Sequence, residues 1–483
     1  MVQLNLCNTN VDVLYLIFGQ LQDDKKSLRS CLLVNKTWCK LVVPILWKDP
    51  WKFLKWGKEI LLLSVIISHL SEESKNEFCQ DINFLKSSYQ KPLFNYISFC
   101  RHLNLNAINR IIDTIYIIIY SKSKISFIKN KIINLFISEN TKFTHLYIPY
   151  QFDFQIHLIP GAELCFSKIE FLSFNTCIDD NVLTGLTKIC KSIKELELFI
   201  SRTNNNDEII KLIETPNKLL NIRLIILYGS YSKNDDSFCK ILENSLIKHS
   251  NTIQYFKITK HPITKLLSSF INLKILELDD DFRDITWDCL QNLSLPYLQI
   301  LKASRVPIKA LTSLIENTNG CLIEIKIDYI PHNENDNKRI IQTIYQNCPN
   351  LKYLKLLFRN SNNLELEKLL INCQYLSGLY IIINNMEDEF DWDYLFKILT
   401  KSSPISLFKF KFSIYSDKLI KLESLKSFFD NWKGRHPMLL QIISSTNIKK
   451  YYYLIEKYKL EGIVKKYDYD TWFERTFEDF EWV

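Results

Sequence analysis

Short apolar runs of one form recur along most of this chain and constrain its fold more than any other feature. The first clear run has an apolar residue at Ile169, another three residues later at Leu172 and a third at Phe174. Side chains alternate between the two faces of a strand, so each run predicts a strand with one buried face. Helical patterns of about ten to fifteen residues separate the runs, which predicts a chain of strand-helix units.

The runs begin about 26 residues apart on average, which is the period of leucine-rich repeats. The predicted starts are Ile169, Ile193, Ile222, Ile253, Leu273, Leu298, Leu322, Leu351, Leu376 and Ile405. Together with the alternation of strands and helices, this period predicts an α/β solenoid of leucine-rich repeats over residues 143–443, with parallel strands on the concave side and helices on the convex side. The spacing between the starts is uneven, which indicates that the repeats are degenerate. An unrelated alternation of strands and helices is the alternative.

The residues between the anchors of each strand are predicted to face away from the helices and to bind a target protein. Aromatic side chains supply large contact area at low entropic cost, and they alternate here with charged ones. The third repeat is expected to turn Leu224, Ile226 and Tyr228 outward. The predicted target-binding residues are Glu195, Glu197, Tyr228, Tyr255, Lys257, Glu277, Lys326, Tyr353, Lys355, Tyr380 and Lys409. For any single residue, an equally good interpretation is that the alternation keeps the sheet soluble.

The segment from residue 444 to residue 483 is predicted to cap the last repeat, because an open repeat end exposes core side chains. Aromatic and acidic residues alternate from residue 467 onward. An acidic-aromatic segment that binds a partner is the alternative interpretation.

The first fifty residues carry more apolar side chains than three short helices can bury. The first helical pattern begins at Val11, with Asn10 predicted to cap it. The third begins after Asn35, whose side chain is predicted to cap it, and ends at Pro44. This surplus predicts a docking surface for another protein. An ordinary helical bundle with Trp38 in its core is the alternative.

The order and spacing of these apolar residues resemble the F-box, a three-helix module of ubiquitin ligase substrate receptors. The matching motifs are Leu14-x-x-Ile17-Phe18-x-x-Leu21, Val34-x-x-x-Trp38 and Leu46-Trp47, within residues 8–50, whereas Thr9-Asn10 stands where the family has Leu-Pro. The resemblance implies that residues 1–50 bind a Skp-family adaptor and through it a cullin-RING ligase. The adaptor-binding residues that it implies are Leu14, Ile17, Phe18, Leu21, Leu32, Val34, Trp38 and Leu41.

Residues 51–142 are predicted to form a helical bridge, with Trp51, Trp56 and residues 61–63 among its buried positions. The order of F-box, bridge and array resembles F-box leucine-rich repeat proteins. This resemblance implies a substrate-recognition subunit that holds an unknown target near a ubiquitin-charged enzyme and performs no chemistry itself. A leucine-rich repeat scaffold that is not coupled to ubiquitin ligation is the alternative.

Residue types that carry chemistry are sparse or scattered in this sequence. Phosphate-binding loops and nucleophile elbows need glycine motifs that do not occur here, and the 13 cysteines include no Cys-x-x-Cys pair. We therefore expect no enzyme activity, cofactor or metal site. Cys190, Cys348 and Cys373 each precede a strand anchor by three residues, which favours small buried side chains over reactive thiols.

The net charge of +8 raises a third possibility, a protein that binds nucleic acid or an anionic membrane. Basic runs such as residues 122–131 are interrupted by apolar residues, which is typical of a solvated helix. We therefore expect neither nucleic acid nor membrane as a partner. The longest apolar runs are shorter than a bilayer-spanning helix, so the cytoplasm or nucleus is the expected compartment.

Overall fold

The structure is a computed structural model that describes residues 11–79, 91–119, 122–137, 141–201, 207–226, 235–280, 286–328, 333–383, 390–415, 420–444 and 451–471. It divides into two compact units. The first comprises Met1–Leu219 with Gly229–Asp235, and the second comprises Leu220–Tyr228 with Asp236–Val483. The predicted division into segments 1–50, 51–142, 143–443 and 444–483 stays a prediction.

The first unit begins with three short helices, here called the three-helix module: α1 (Val11–Gln20), α2 (Lys25–Cys31) and α3 (Lys36–Lys48). Side chains cap the second and third helices. The Asp24 carboxylate accepts a hydrogen bond from the Ser27 backbone N–H, and the Asn35 side chain accepts one from Trp38, which confirms the predicted cap at Asn35. The predicted cap at Asn10 lies outside the described residues.

Pro44 does not end the third helix, so that prediction was wrong. The helix continues through Pro44 to Lys48 although proline removes one backbone hydrogen bond. Leu41, Ile45 and Leu46 pack against the core of the module, and this packing stabilises the helix on both sides of the proline.

Five helices follow in the first unit: α4 (Glu59–Ile67), α5 (Glu72–Cys79), α6 (Tyr96–Phe99), α7 (Leu105–Ile119) and α8 (Lys122–Phe136). Trp51 and Leu63 are buried here as predicted, but Trp56 and Leu61 are exposed. Trp56 lies in the turn before α4 and is 89% exposed.

Four strands of the first unit pair in parallel in chain order, β1 with β2, β2 with β3 and β3 with β4. They are β1 (His102–Asn104), β2 (His145–Tyr147), β3 (Phe171–Asn175) and β4 (Glu195–Ile200). The helices that accompany β2 to β4 are α9 (Ala162–Phe166), α10 (Asp180–Ile189) and α11 (Asp207–Glu214). The parallel strands thus begin at residue 102, inside the segment predicted to be a bridge.

The second unit continues the same strand-helix alternation, and each of its strands pairs in parallel with the next. Its strands are β5 (Asn221–Ile226), β6 (Tyr255–Ile258), β7 (Ile275–Asp279), β8 (Ile300–Ser304), β9 (Glu324–Asp328), β10 (Tyr353–Leu357), β11 (Gly378–Ile383), β12 (Lys409–Ile414), β13 (Met438–Ser444) and β14 (Val464–Thr471). Its helices are α12 (Asp235–Ile247), α13 (Leu266–Ser269), α14 (Ile308–Glu316), α15 (Glu334–Asn347), α16 (Asn363–Asn372), α17 (Trp392–Ser402), α18 (Leu422–Asn431) and α19 (Tyr452–Leu460).

The predicted α/β fold of parallel leucine-rich strands and helices is confirmed. Most of the predicted starts are buried anchors two residues before a strand, as Leu273 is before β7. Two starts need correction. The anchor of β5 is the buried Leu219, not Ile222, which lies within the strand, and the anchor of β12 is the buried Leu407, because Ile405 is almost fully exposed.

Cysteines fill narrow positions of the core next to these anchors. Cys190, Cys348 and Cys373 are buried, as predicted for small apolar side chains. Burial disfavours the thiolate and raises the pKa of Cys190 and of Cys373 to about 12. These thiols are therefore protonated packing groups at neutral pH.

Candidate partner-binding surfaces

The three-helix module has a core of its own. Leu14, Phe18, Leu28 and Val42 are buried together, and the rings of Phe18 and Trp38 meet edge to face with their centroids 5.0 Å apart. Leu14 and Phe18 were predicted to contact an adaptor; their side chains are buried inside the module, and their role in adaptor binding stays a prediction. The predicted residues that are partly buried against this core are Leu21, Leu32, Trp38 and Leu41.

Many apolar side chains of the module remain on its surface. Of the predicted adaptor-binding residues, Ile17 is 49% exposed and Val34 is 54% exposed. Sequence reasoning missed Leu33, which is 85% exposed. Other exposed apolar residues in α1 are Val11, Val13, Tyr15 and Leu16. We call this set, with Ile17, Leu33 and Val34, the apolar surface of the module.

The apolar surface exists because α1 carries apolar residues around its whole circumference. Leu14 and Phe18 are four residues apart and share the face that is buried. Leu16 is two residues from each of them and therefore points away from that face. A helical projection of α1 would have shown that one side of it must stay exposed.

The second unit carries a row of polar side chains across the outward face of its strands. The row follows the register of the parallel strands, in which Lys257 lies beside Glu277, and Lys326 beside Lys355. In order it contains Arg223, Lys257, Glu277, Lys302, Lys326, Lys355, Tyr380, Lys411 and Gln441. Five predicted target-binding residues therefore share one line at adjacent strand spacings of about 4.8 Å.

Carboxylates neutralise the first part of this row. A carboxylate oxygen of Glu277 lies 2.6 Å from Lys302 Nζ, and the other lies 3.5 Å from Lys257 Nζ. Burial alone would raise the pKa of Glu277, but the hydrogen bond from Lys302 and the charges of both lysines outweigh it, so the pKa is lowered. Lys326 pairs with Glu324 at 2.9 Å in the same way.

Tyr255 lies beside this group, in the neighbouring row of the same face. The Arg223 guanidinium carbon is 4.9 Å from the centroid of its ring. Burial and the charge of Glu277 raise the pKa of the Tyr255 hydroxyl. The phenol is therefore a neutral hydrogen-bonding group at neutral pH.

Lysines and tyrosines dominate the outward face of β10 to β12. The ring of Tyr380 lies between two amines, with Lys355 Nζ 4.5 Å and Lys411 Nζ 4.8 Å from its centroid. Lys355 also pairs with Asp328 at 2.8 Å. Both lysines are buried, so their ammonium groups are held in fixed positions.

Lys409 extends this lysine-tyrosine group toward the start of the strands. Its Nζ lies 5.3 Å from the centroid of the Tyr353 ring, two strands away. The intervening position in the register is Gly378, which has no side chain to separate them. The structure thus brings together the predicted residues Tyr353, Lys355, Tyr380 and Lys409.

Glu195 and Glu197 lie in the first unit and face outward on β4. The Ser173 hydroxyl donates a 2.8 Å hydrogen bond to Glu197. On the same face, His145 stacks on His102 with ring centroids 3.8 Å apart and lies 5.3 Å from Phe171. This face is therefore aromatic as well as acidic.

The residues of β5 that face outward are not the ones that the sequence predicted. Leu224 and Ile226 are buried, whereas Arg223 and Ile225 face outward. The error follows from the wrong anchor. Leu219 and Ile222 are an odd number of residues apart, and moving the anchor of a strand by an odd number exchanges its inward and outward side chains. Tyr228 lies outside the described residues.

The described residues contain neither a candidate metal site nor a helix that could span a membrane. Within the ranges given above, no three or more His, Cys, Asp or Glu side chains cluster as metal ligands. In the same ranges, no helix has the length and apolar character needed to cross a membrane.

Comparisons with known proteins were made for the whole chain. No protein-family model matches it, and no curated protein matches it. Among solved structures, it is similar to the leucine-rich repeat-containing protein LegL7 from Legionella pneumophila, with 14% sequence identity and a TM-score of 0.31. The match covers 63% of this chain and 83% of that one.

Proposed function

We propose that this protein is the substrate-recognition subunit of a ubiquitin ligase of the SCF type. In this proposal the three-helix module docks on a Skp-family adaptor, and the outward face of the repeat strands holds a target protein. The observation that carries it is the apolar surface of the module, with Leu33 85% exposed beside a core that is already closed.

The apolar surface supports docking because seven large apolar side chains are exposed within one short module. Burying an aliphatic side chain of this size is worth about 1.5–3 kcal/mol, and a folded domain normally obtains this gain internally. Leu33, Val34, Leu16 and Ile17 forgo it in the isolated chain. A partner that covers them recovers this free energy upon binding, which makes the module a binding surface.

The repeat strands support target recognition through their fixed charges. Lys257 and Lys302, whose side chains are 31% and 39% exposed, are both held by Glu277. Rigid charged and aromatic groups lose little entropy upon binding and fix the orientation of a partner. The proposed role of this chain in ubiquitin transfer is therefore positional, because it brings the target close to an enzyme.

A binding measurement with a purified Skp-family adaptor tests the docking step. We expect the full chain to bind the adaptor, and the double variant Ile17→Asp with Val34→Asp to lose binding by more than about 100-fold, since two charges would be placed in an apolar interface. Both positions are about half exposed, so we expect the variant to remain folded.

The matched control is Ile405→Asp, which places the same charge at an exposed isoleucine of the second unit. This variant is expected to bind as the wild type does. If the folded, soluble wild-type chain fails to bind the adaptor, the ligase proposal is wrong, and the alternative, a repeat scaffold that is not coupled to ubiquitin ligation, replaces it.

A further inference from the structure

The segment that follows the three-helix module, residues 51–58, presents one tryptophan at the tip of a rigid turn. The Lys58 N–H donates a 3.1 Å hydrogen bond to the Lys55 carbonyl, and Gly57 has a φ of 77°. A positive φ at the third position is typical of a type II turn. Trp56 occupies the second position and is 89% exposed.

The base of this segment is anchored in the first unit. Trp51 is buried, and its Nε1–H donates a 2.7 Å hydrogen bond to the His102 carbonyl. The turn is therefore held by a packed indole at residue 51 while it exposes a second indole at residue 56. A mobile loop would not keep one indole buried and the other in solvent.

The segment is also fastened to the module. Lys25 Nζ, at the start of α2, donates a 3.3 Å hydrogen bond to the Phe53 carbonyl and lies 5.3 Å from the centroid of the Phe53 ring. Lys52 forms an ion pair with Asp23, in the turn between α1 and α2. These contacts make the Trp56 turn continuous with the module that carries the proposed docking surface.

An exposed, preorganised tryptophan is a strong candidate for a binding hot spot. Tryptophan is enriched among the residues that dominate interface energies, because its side chain buries a large area upon binding. Holding the backbone in place beforehand lowers the entropy lost when the complex forms. Trp56 meets both conditions.

Charge indicates the chemistry of the partner. Residues 11–58 contain nine basic and four acidic residues, so this short segment carries a net charge of +5, whereas the whole chain carries +8. Three of the acidic residues are already engaged: Asp23 pairs with Lys52, Asp24 caps α2, and Asp49 lies 3.1 Å from His102. Lys52, Lys55 and Lys58 of the turn are all exposed.

We propose that residues 51–58 form a second contact of the docking surface, in which Trp56 enters an apolar pocket and its flanking lysines face acidic residues of the Skp-family adaptor. This inference rests on the proposed function, because it names the same partner. It adds that the partner surface is acidic and that the contact extends beyond the three helices.

Affinity for the purified adaptor, measured by titration with the full chain, tests the anchor. Trp56→Ala is expected to weaken binding by at least about tenfold, as hot-spot truncations do. The matched control is Tyr453→Ala in the second unit, an aromatic side chain that is 85% exposed, and it is expected to leave the affinity unchanged. Circular dichroism checks that both variants keep the wild-type fold.

A charge reversal tests the acidic partner surface. Lys55→Glu with Lys58→Glu is expected to weaken binding several-fold at low salt and to reduce the dependence of the affinity on ionic strength. The control is Lys397→Glu with Lys401→Glu, two exposed lysines one turn apart in α17, which is expected to bind as the wild type does.

The outcomes separate the two proposals. Adaptor binding that Trp56→Ala leaves unchanged overturns this inference and leaves the proposed function standing. A folded wild-type chain that does not bind the adaptor overturns both. Concentration-dependent dimers of the wild type that Trp56→Ala abolishes would assign the turn to a second copy of this chain, and this result also overturns the inference.

Discussion

The three-helix module and the repeat strands of the second unit distribute apolar and charged side chains in opposite ways. The module buries Leu14 and Phe18 but leaves Leu16 and Leu33 in solvent. The repeat strands bury their apolar side chains and pair outward lysines with carboxylates, as Glu277 does for Lys302. A small module cannot enclose all its apolar residues, whereas a stack of repeats covers each unit with the next.

Under the proposed function, this difference predicts two kinds of recognition. The module is expected to gain most of its binding free energy from apolar contact, and the contribution of these apolar contacts to the affinity is expected to depend little on salt. Lys257 and Lys302 beside Glu277 are expected to act through orientation and charge, because both amines are partly exposed and already paired with that carboxylate. The following predictions test this contrast.

The largest expected effect separates the core of the module from its surface. Phe18→Ala removes a ring that is 1% exposed and is expected to destabilise the module by about 3–5 kcal/mol. Ile17→Ala, one residue earlier but half exposed, is expected to change stability by less than about 1 kcal/mol. Hydrogen exchange of residues 11–48 measures both. Equal destabilisation by the two variants would contradict the buried face assigned to α1.

The second-largest expected effect tests which side chains of β5 face the core. Leu224→Ala is expected to lower the free energy of unfolding of the second unit by about 2–4 kcal/mol, because Leu224 faces the core. Arg223→Ala, on the outward face, is expected to lower it by less than about 1 kcal/mol. Denaturant unfolding compares them. A larger loss for Arg223→Ala would mean that the strand faces the other way.

Acid is expected to weaken the first unit through His145. Burial and the neighbouring His102 ring lower the pKa of His145 to about 4, so the folded ring is neutral where the unfolded ring, with a pKa of 6.5, binds a proton. Stability is therefore full above pH 6.5 and is lost as the pH falls toward 4, by about 1–2 kcal/mol after allowing for partial solvent exposure.

The variant His145→Phe isolates this effect. Its ring can stack beside Phe171 but cannot bind a proton, so unfolding of the first unit is expected to depend less on pH between 6.5 and 4. Thermal unfolding at several pH values provides the measurement. An unchanged pH profile would show that His145 does not cause the acid sensitivity.

The smallest expected effect concerns the second unit. The pKa of Glu277 is lowered in the folded chain, so its contribution to stability is present above its ordinary pKa of 4.5 and is lost as the pH falls below that value. Lys302→Met removes the main partner and is expected to reduce this loss, with a change of less than about 1 kcal/mol at neutral pH. A steeper loss in the variant would contradict the pairing.

The array was predictable from sequence because each strand repeats the same three inward apolar positions. The prediction failed where the local sequence offered two apolar choices, as at Leu219 and Ile222, or at Ile405 and Leu407. In the first case the predicted anchor was displaced by an odd number of residues, which exchanged the two faces of β5. In the second it was displaced by an even number, so Lys409 still faces outward on β12.

The apolar surface of the module was less predictable. Its existence followed from the number of apolar residues, but Leu14 and Leu16 are the same residue type, and only the packing of the helices separates core from surface. Pro44 within α3 and the exposed Trp56 were missed for the same reason, since tertiary contacts decided both. The paired charges around Glu277 depend on the register, which sequence spacing approximates but does not establish.

Hydrogen exchange of the full chain, with and without a purified Skp-family adaptor, tests the central claim most directly. We predict that the adaptor slows exchange in α1, at Leu33 and Val34 and in residues 51–58, and leaves β6 to β12 unchanged. Slowed exchange confined to the repeat strands, or no change anywhere in the folded chain, would contradict the claim that the apolar surface of the module is the docking site.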